Sequence, residues 1–457
     1  MALFILSIYS LILIYIAYLD FRKKQDLKHF LVANRRSGVF QTGFSITATC
    51  IGGTATIGLV ADVAKNGFPA IWYLLSGAIG LVILALFFAK IVRRTEALTL
   101  PQIMEKYISK QAAIIAAIII SLAWTAILAA QFSAAAAILE VFGISNISAL
   151  ISAVFLIAIY TALGGQMSVI KSDVYQYLIL LISFILSMIF LFSKTDFNYL
   201  TSIDWHLTNS NFGINNIFYY LIFVGISYII DPMLFSRILS ARDEKTAIKG
   251  AILGAVFIAL SAFLIVLIAF LTLNFSSPET NPKSLLTHSL FYELPPILGI
   301  ILLLGLLSAI VSSADTVLIT STSVFAHDII KTNKLLFYRI STIFFAAIAL
   351  FLATKGKAIL DYFFAANDLF VGGVAIPLFF TLICQGKINK TCVLLAMIAG
   401  SSLGLISALG AILDAGGIFD KKIYSTFGIV LAVFFCLIGK LILHLSRKES
   451  HFLAEKV

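Results

Sequence analysis

Apolar runs long enough to cross a bilayer follow one another thirteen times along this 457-residue chain. They lie at about 3–19, 38–62, 70–92, 112–140, 147–163, 168–192, 216–236, 249–273, 296–324, 334–354, 358–383, 392–413 and 423–445. Hydrocarbon offers the backbone no hydrogen-bond partner, so a spanning run must be a helix or a strand of a closed barrel. The runs are rich in Leu, Ile, Ala and Phe and do not alternate, which selects helices. Charged residues make up 12% of the chain, against about 25% in a soluble domain. The expected fold class is an all-α polytopic membrane protein of about 13 transmembrane helices, with no soluble domain between them.

Lys and Arg set the orientation. The side that carries Arg22, Lys23, Lys24, Lys28, Arg35 and Arg36 holds 25 of the 32, and the other side holds 7. This bias puts the N-terminus outside and the C-terminus in the cytoplasm, and a bacterial inner membrane suits it. It also accounts for most of the +10 net charge, so nucleic acid is not a needed partner. The first run has no basic residue before it and reads as a retained helix rather than a cleaved signal peptide. Cys50, Cys384, Cys392 and Cys436 lack zinc-ligand spacing, and no disulfide framework is expected. The six histidines are scattered without metal spacing.

Setting the first helix aside, helices two to six and seven to eleven form two blocks of five. An odd block size turns the second block upside down relative to the first, the arrangement of inverted-repeat transporters. The resulting division is 1–37, an extra helix and a basic loop; 38–192, the first repeat; 193–383, an outer loop and the second repeat; and 384–457, two further helices and a short tail.

Two runs carry polar residues where hydrocarbon makes them costly. Ser308–Ser323 places Ser312, Ser313, Asp315 and Thr316 on one face. Thr47–Gly58 holds Gly52, Gly53 and several threonines in mid-span. Glycines there either break the helix and free carbonyls for a cation, or allow close packing between helices. The segment alone is compatible with both.

Four motifs give the chain a resemblance to the sodium:solute symporter family, whose members include proline, pantothenate, sialic acid, sugar and choline transporters. They are Ala48-Thr-Cys-Ile-Gly-Gly-Thr; the stretch from Tyr160 to Gln176 with Gly164-Gly165 and Ser172-Asp173; Asp231-Pro-Met-Leu-Phe-Ser-Arg237; and Ser312-Ser-Ala-Asp315. The resemblance covers about residues 1–445. It implies the leucine-transporter (LeuT) fold, here with one extra helix before the repeats and two after. It also implies secondary active transport driven by sodium, with no organic cofactor. A small solute and the lipid bilayer are then the partners, and a monomer would suffice.

The resemblance also assigns residues. Carbonyls of Ala48, Ile51 and Ala309 with the hydroxyls of Ser312 and Ser313 would hold sodium, a hard cation that prefers oxygen. The serines could instead bond back to carbonyls one turn earlier. Asp173, Asp315 and Thr316 would form a second cation or proton site. Otherwise Asp173 pairs with Lys171 or Arg237, and Asp315 is a structural acid. Ala55 stands where sugar members offer a glutamine, which argues against a sugar. Thr54, Thr56, Gln131, Trp124, Tyr228, Asp231 and Asp368 remain as solute contacts, with Asn367 beside the last. Gln131 could equally bond between helices, and Trp124 could be a core residue. The carboxylates favour an amino acid-like or amine-bearing solute.

Gly164-Gly165 reads as a tight turn, and Arg237–Lys245 as a charged cytoplasmic loop that sets topology. Sodium-coupled import by alternating access is the leading expectation. A proton-coupled symporter of the same fold and a transporter-like solute sensor are the alternatives. A channel would lack saturable counterflow. No activated nucleophile or His/Glu metal pair lies at membrane depth, so an enzyme is not expected.

Overall fold

The computed structural model describes residues 2–22, 26–140, 142–275, 285–286, 293–413 and 421–454. Most of the predicted outer loop 274–295 and the side chains beyond residue 445 lie outside what is described. Every named element is helical; an isolated bridge between Ser37 and Ala241 is the one strand-like pairing among the described residues.

The principal helices are α1 (Ala2–Phe21), the bent pair α2 (Val39–Cys50) and α3 (Thr54–Asn66), α4 (Phe68–Arg94), α5 (Lys110–Glu140), α6 (Asn146–Lys194) and α7 (Ile214–Ser240). They continue with α8 (Glu244–Phe275), α9 (Pro296–Ile329), α10 (Leu335–Ala353), α11 (Ile359–Ile383), α12 (Lys390–Ile412) and α13 (Ile423–Leu445). Ten are long and apolar enough to span, and the bent pair makes eleven among the described residues. The thirteen runs read from sequence differ from this count at two places. The first lies in α1, whose apolar described part, Ser7–Leu19, is short for a span. Runs 147–163 and 168–192 fall together in α6, of 49 residues. A straight helix of that length would reach roughly 70 Å, far beyond a 30 Å hydrocarbon core. Gly165, at φ 70 and ψ −177, breaks it, the turn expected of Gly164-Gly165.

Polarity is arranged inside out. The central helices α5, α7, α9 and α11 are 78%, 72%, 72% and 83% buried in their apolar windows, whereas α10 and α13 are 33% and 22% buried. The outer faces show Ile343, Phe344, Phe434 and Leu437 to the surroundings, and the hydroxyls and carboxylates point inward. That is the distribution a lipid solvent demands.

Two breaks organise the centre. At the first, Ile51 leaves the helical conformation (φ −101, ψ 73), and α2 and α3 meet at 58°. Glycine is required here by space. A Cβ on Gly52 would lie 2.3 Å from Ser313 Oγ, and one on Gly53 would lie 2.2 Å from Ala134 Cβ. The broken helix and the close packing weighed as alternatives are therefore the same feature. At the second break, Ile230 turns out of the helix (φ −124, ψ 83). Asp231 restarts α7 by capping it, with Oδ1 accepting from the N–H groups of Met233 (2.6 Å) and Leu234 (2.9 Å), and Pro232 follows at the first helical position.

At the end bearing the basic loops the two broken helices are tied together. Ser37 N–H donates to Ser240 O and Arg242 N–H to Ser37 O, both at 3.1 Å. Arg93 donates to Ala241 O (2.7 Å) and Arg242 O (3.2 Å), and Arg94 pairs with Glu244 at 2.5 Å. The link joins the chain entering α2 to the chain leaving α7.

Gly52→Ala and Gly53→Ala should each lower the melting temperature of detergent-purified protein, since overpacking a tight site costs about 1–3 kcal/mol. Melting curves matching the parent protein would mean that the break tolerates a side chain.

Candidate functional site

The break at Ile51 leaves the last carbonyls of α2 without helical donors, as at any helix end. The partners come from α9. Ser312 Oγ donates to Ala48 O at 3.1 Å and back to Ala309 O, one turn earlier, at 3.0 Å. Ser313 Oγ donates to Thr49 O at 2.9 Å and to Ala48 O at 3.3 Å. The back-bond expected of the serines is present for Ser312, which also bonds across to α2; Ser313 bonds across to α2 alone. Carbonyls of Ala48, Thr49 and Ala309 and two hydroxyls thus converge, fully buried, around one point of the break. Ile51 stands at the bend, its N–H closing the last turn onto Thr47 O. Thr49 O was not singled out by the sequence, and only its place one residue past Ala48 could have suggested it. Calcium, a hard cation of similar size to sodium, holds oxygens at about 2.3–2.6 Å, which spaces neighbouring ligands roughly 3.3–3.7 Å apart. The oxygens here, 2.9–3.3 Å apart, need to open only slightly.

One turn from this cluster lies a second one, built on Arg237. The expected loop Arg237–Lys245 begins later than the sequence suggested. Arg237 belongs to α7 and is 1% exposed. Its guanidinium pairs with Asp173 Oδ2 (3.1 Å) and donates to Thr316 Oγ1 (2.5 Å) and Ser45 Oγ (3.1 Å). Ser45 Oγ in turn donates to Asp173 Oδ2 at 2.5 Å. Of the two partners foreseen for Asp173, Arg237 is the one beside it. Asp315 Oδ1 accepts from Thr316 Oγ1 at 3.3 Å, and its Oδ2 has no hydrogen-bond partner. Four helices, α2, α6, α7 and α9, meet on this one guanidinium. Ser45 was missed by the sequence reading, since nothing distinguishes it there from other membrane serines.

A small chamber of about 40 Å³ lies above the break, room for little more than one water. Thr54, Trp124, Gln131, Tyr228, Asp231 and Asn367 line it, with Cys50, Tyr73 and Phe363. Gln131 Oε1 accepts from Gly53 N–H at 2.8 Å, so it bonds between helices and lines the chamber at once. Trp124 packs edge-on against Phe370 (4.8 Å between ring centres) and keeps its indole N–H without a partner. Thr49 Oγ1 is likewise unpartnered. Ala55 and Thr56 are not among the lining residues; Thr56 Oγ1 donates to Gly52 O at 2.9 Å. Asp368 does not join Asp231 either. It lines a separate cavity of about 480 Å³ nearer the other end of α3. Asn367 and Asp368 are neighbours in sequence but about 100° apart around α11, so they face different spaces.

No group of three or more His, Cys, Asp or Glu able to hold a metal occurs among the described residues, and the four cysteines are free. Buried carbonyls and hydroxyls gathered at one helix break, a small chamber beside them and a second broken helix are features that secondary transporters combine. Comparison with known proteins agrees. Sodium/proline symporter 2 of Staphylococcus saprophyticus is 24% identical over 443 residues, covering 87% of this chain and 84% of that one. The sodium/pantothenate symporter of Haemophilus influenzae is 26% identical over 343 residues, covering 70% of this chain and 69% of that one. Among solved structures, the substrate-bound outward-open state of a Na+-coupled sialic acid symporter superposes with a TM-score of 0.80 at 17% identity, covering 97% of both chains. MhsT in complex with L-phenylalanine superposes with a TM-score of 0.57 at 16% identity, over 90% of this chain and 99% of that one. The fold is therefore LeuT-like, and these relatives are transporters rather than enzymes. Since its residues 30–400 match the family throughout, the chain belongs to the sodium:solute symporter family of integral membrane transporters.

Proposed function

We propose that this chain imports a small amino acid-like or amine-bearing solute together with sodium, by alternating access. The observation that carries the reading is the set of hydroxyls from Ser312 and Ser313 resting on carbonyls freed at the break of α2. Without an ion the hydroxyls donate to those carbonyls. With sodium, the oxygens of Ala48, Ala309, Ser312 and Ser313 turn their lone pairs inward, and the carbonyl of Ile51, the residue at the bend, joins them. Sodium then ties α2 to α9 and fixes the floor of the solute chamber. Reciprocity follows: sodium raises solute affinity by the factor by which solute raises sodium affinity.

The chamber chemistry supports a solute bearing both charges. Asp231 offers a carboxylate, and the unpartnered indole N–H of Trp124 with the Thr49 hydroxyl offers donors to an acid group. A relative named for proline fits that class; one named for pantothenate, an acid without an amine, fits only the donors to an acid group. The two breaks open the blocks 38–192 and 193–383 at corresponding helices, which supports reading them as inverted repeats. The basic loops support reading the tied end as cytoplasmic, in a bacterial inner membrane, with the N-terminus outside and the C-terminus inside. Asp173, Asp315 and Thr316 act around Arg237 as a charged link between helices.

A proton in place of sodium is the second reading, favoured by the unpartnered Asp315 Oδ2. Uptake into vesicles separates the two. An imposed sodium gradient should drive it, and a proton gradient without sodium should not.

Ser312→Ala and Ser313→Ala should each raise the sodium concentration needed for half-maximal thermal stabilisation by about tenfold or more, from loss of an ion-facing hydroxyl. Unchanged sodium titrations in both variants would remove the site. Arg237→Gln strands Asp173 in the interior, and breaking such a pair costs about 3–5 kcal/mol. Its melting temperature should fall sharply, and Asp173→Asn in the same chain should restore at least half of the loss. Additive losses in the double variant would show that the pair does not act as a unit.

A further inference from the structure

Of the two cavities beside the first broken helix, the one at the far end of α3, the outer one, has solute-sized space. At about 480 Å³ it lies within the usual range of ligand sites, whereas the inner chamber has about 40 Å³. Helix α11 sends one stripe into it, Asp361, Phe364, Ala365 and Asp368, at the spacing of a single helical face. Helix α3 contributes Asp62 and Lys65, and α7 contributes Tyr219 and Tyr220. The lining thus sets three carboxylates against one ammonium. Asp62 is tied up by Asn66 Nδ2 (2.7 Å) and the Tyr220 hydroxyl (3.3 Å). Asp368 is 5% exposed; Ser407 Oγ donates to its Oδ2 at 2.7 Å and the Ser425 hydroxyl lies beside the carboxyl, while its Oδ1 has no partner in hydrogen-bond geometry. A buried carboxylate oxygen without a donor calls for one from a ligand.

The walls beside that carboxylate are aromatic. Tyr219 and Phe364 pack at 5.7 Å, and Phe364 meets Tyr220 at 5.6 Å. Rings from the same cluster close off the inner chamber: Phe363 lies 5.7 Å from Phe364 and 5.2 Å from Tyr73. A solute in the outer cavity would therefore sit just outside a layer of rings, with the chamber behind it. A carboxylate and aromatic rings lining one cavity are the recognition chemistry of an organic ammonium group.

We propose that the outer cavity is a separate binding site for small organic ammonium compounds, with Asp368 as the counter-ion and Phe364 and Tyr219 as the aromatic wall. The site holds the solute before the rings part, and it needs no sodium, because the ion cage lies beyond the rings. The choice of an ammonium rests on the amine-bearing solute proposed above.

Isothermal titration of the full purified chain with phenyltrimethylammonium chloride, in sodium-free buffer, tests it. One saturable site is expected, with its affinity changed less than about twofold by added sodium. Asp368→Asn can keep the Ser407 hydrogen bond and should weaken binding about 10- to 100-fold, the loss of one charged partner. Phe364→Leu, which leaves every carboxylate in place, should weaken it about threefold or more. Absence of saturable binding, equal affinity in both variants, or displacement of the probe by sodium would overturn the proposal. The symporter reading fails separately: a protein that binds the probe but shows no sodium-dependent stabilisation would lose that reading and keep this site.

Discussion

A break in a membrane helix leaves peptide groups with no water to turn to, and each unsatisfied one costs several kcal/mol. The centre of this protein is an answer to that cost. The carbonyls of Ala48 and Thr49 are satisfied by Ser312 and Ser313 from a neighbouring helix. This requires α2 and α9 to touch, which requires Gly52 to have no side chain. A cluster of neutral oxygens held this way can trade its hydroxyl donors for a bare alkali ion without building up buried charge. Neutral ligands also keep affinity low enough for release, as in selective pores.

The charges sit one turn away and do a different job. Arg237 reaches from the second broken helix to Asp173 on α6, Ser45 on α2 and Thr316 on α9. Thr316 Oγ1 also donates to Ser312 O at 2.9 Å, which connects the guanidinium to the oxygen cage through one residue. Under the proposed function, a shift of α2 against α9 would reach α7 through Thr316 and Arg237; the break of α7 brings Asp231 and Tyr228 to the small chamber. The end at which Ser37 pairs with Ser240 and Arg242 is tied by backbone hydrogen bonds, and the cavity of about 480 Å³ lies at the opposite end of the broken pair.

Much of this was legible in the sequence, and the reasons differ by residue. The runs fixed the helices because lipid leaves the backbone no other choice. Gly52-Gly53 marked a break or a close approach, without deciding between them, because glycine in mid-helix has a cost that only close packing or irregular backbone offsets. Ser312 and Ser313 stood out as hydroxyls in hydrocarbon. The second break was written in Asp231-Pro232, a cap followed by the residue best suited to the first helical turn, but its solute-facing reading hid its structural one. Arg237 was misplaced because charge near a span's end ordinarily means water, and only tertiary contacts reveal a buried pair. The separation of Asp368 from Asp231 depends on the rotation of α11 about its axis, which the adjacent polar pair Asn367-Asp368, pointing about 100° apart, leaves undecided.

The most direct test of the account is a crystal structure of the protein grown with thallium(I) in place of sodium, read by anomalous scattering. The account places one strong peak between α2 and α9, in contact with Ala48 O and the Ser312 and Ser313 hydroxyls. Its contradiction would be a map in which those hydroxyls keep donating to Ala48 and Thr49 carbonyls while the thallium lies elsewhere.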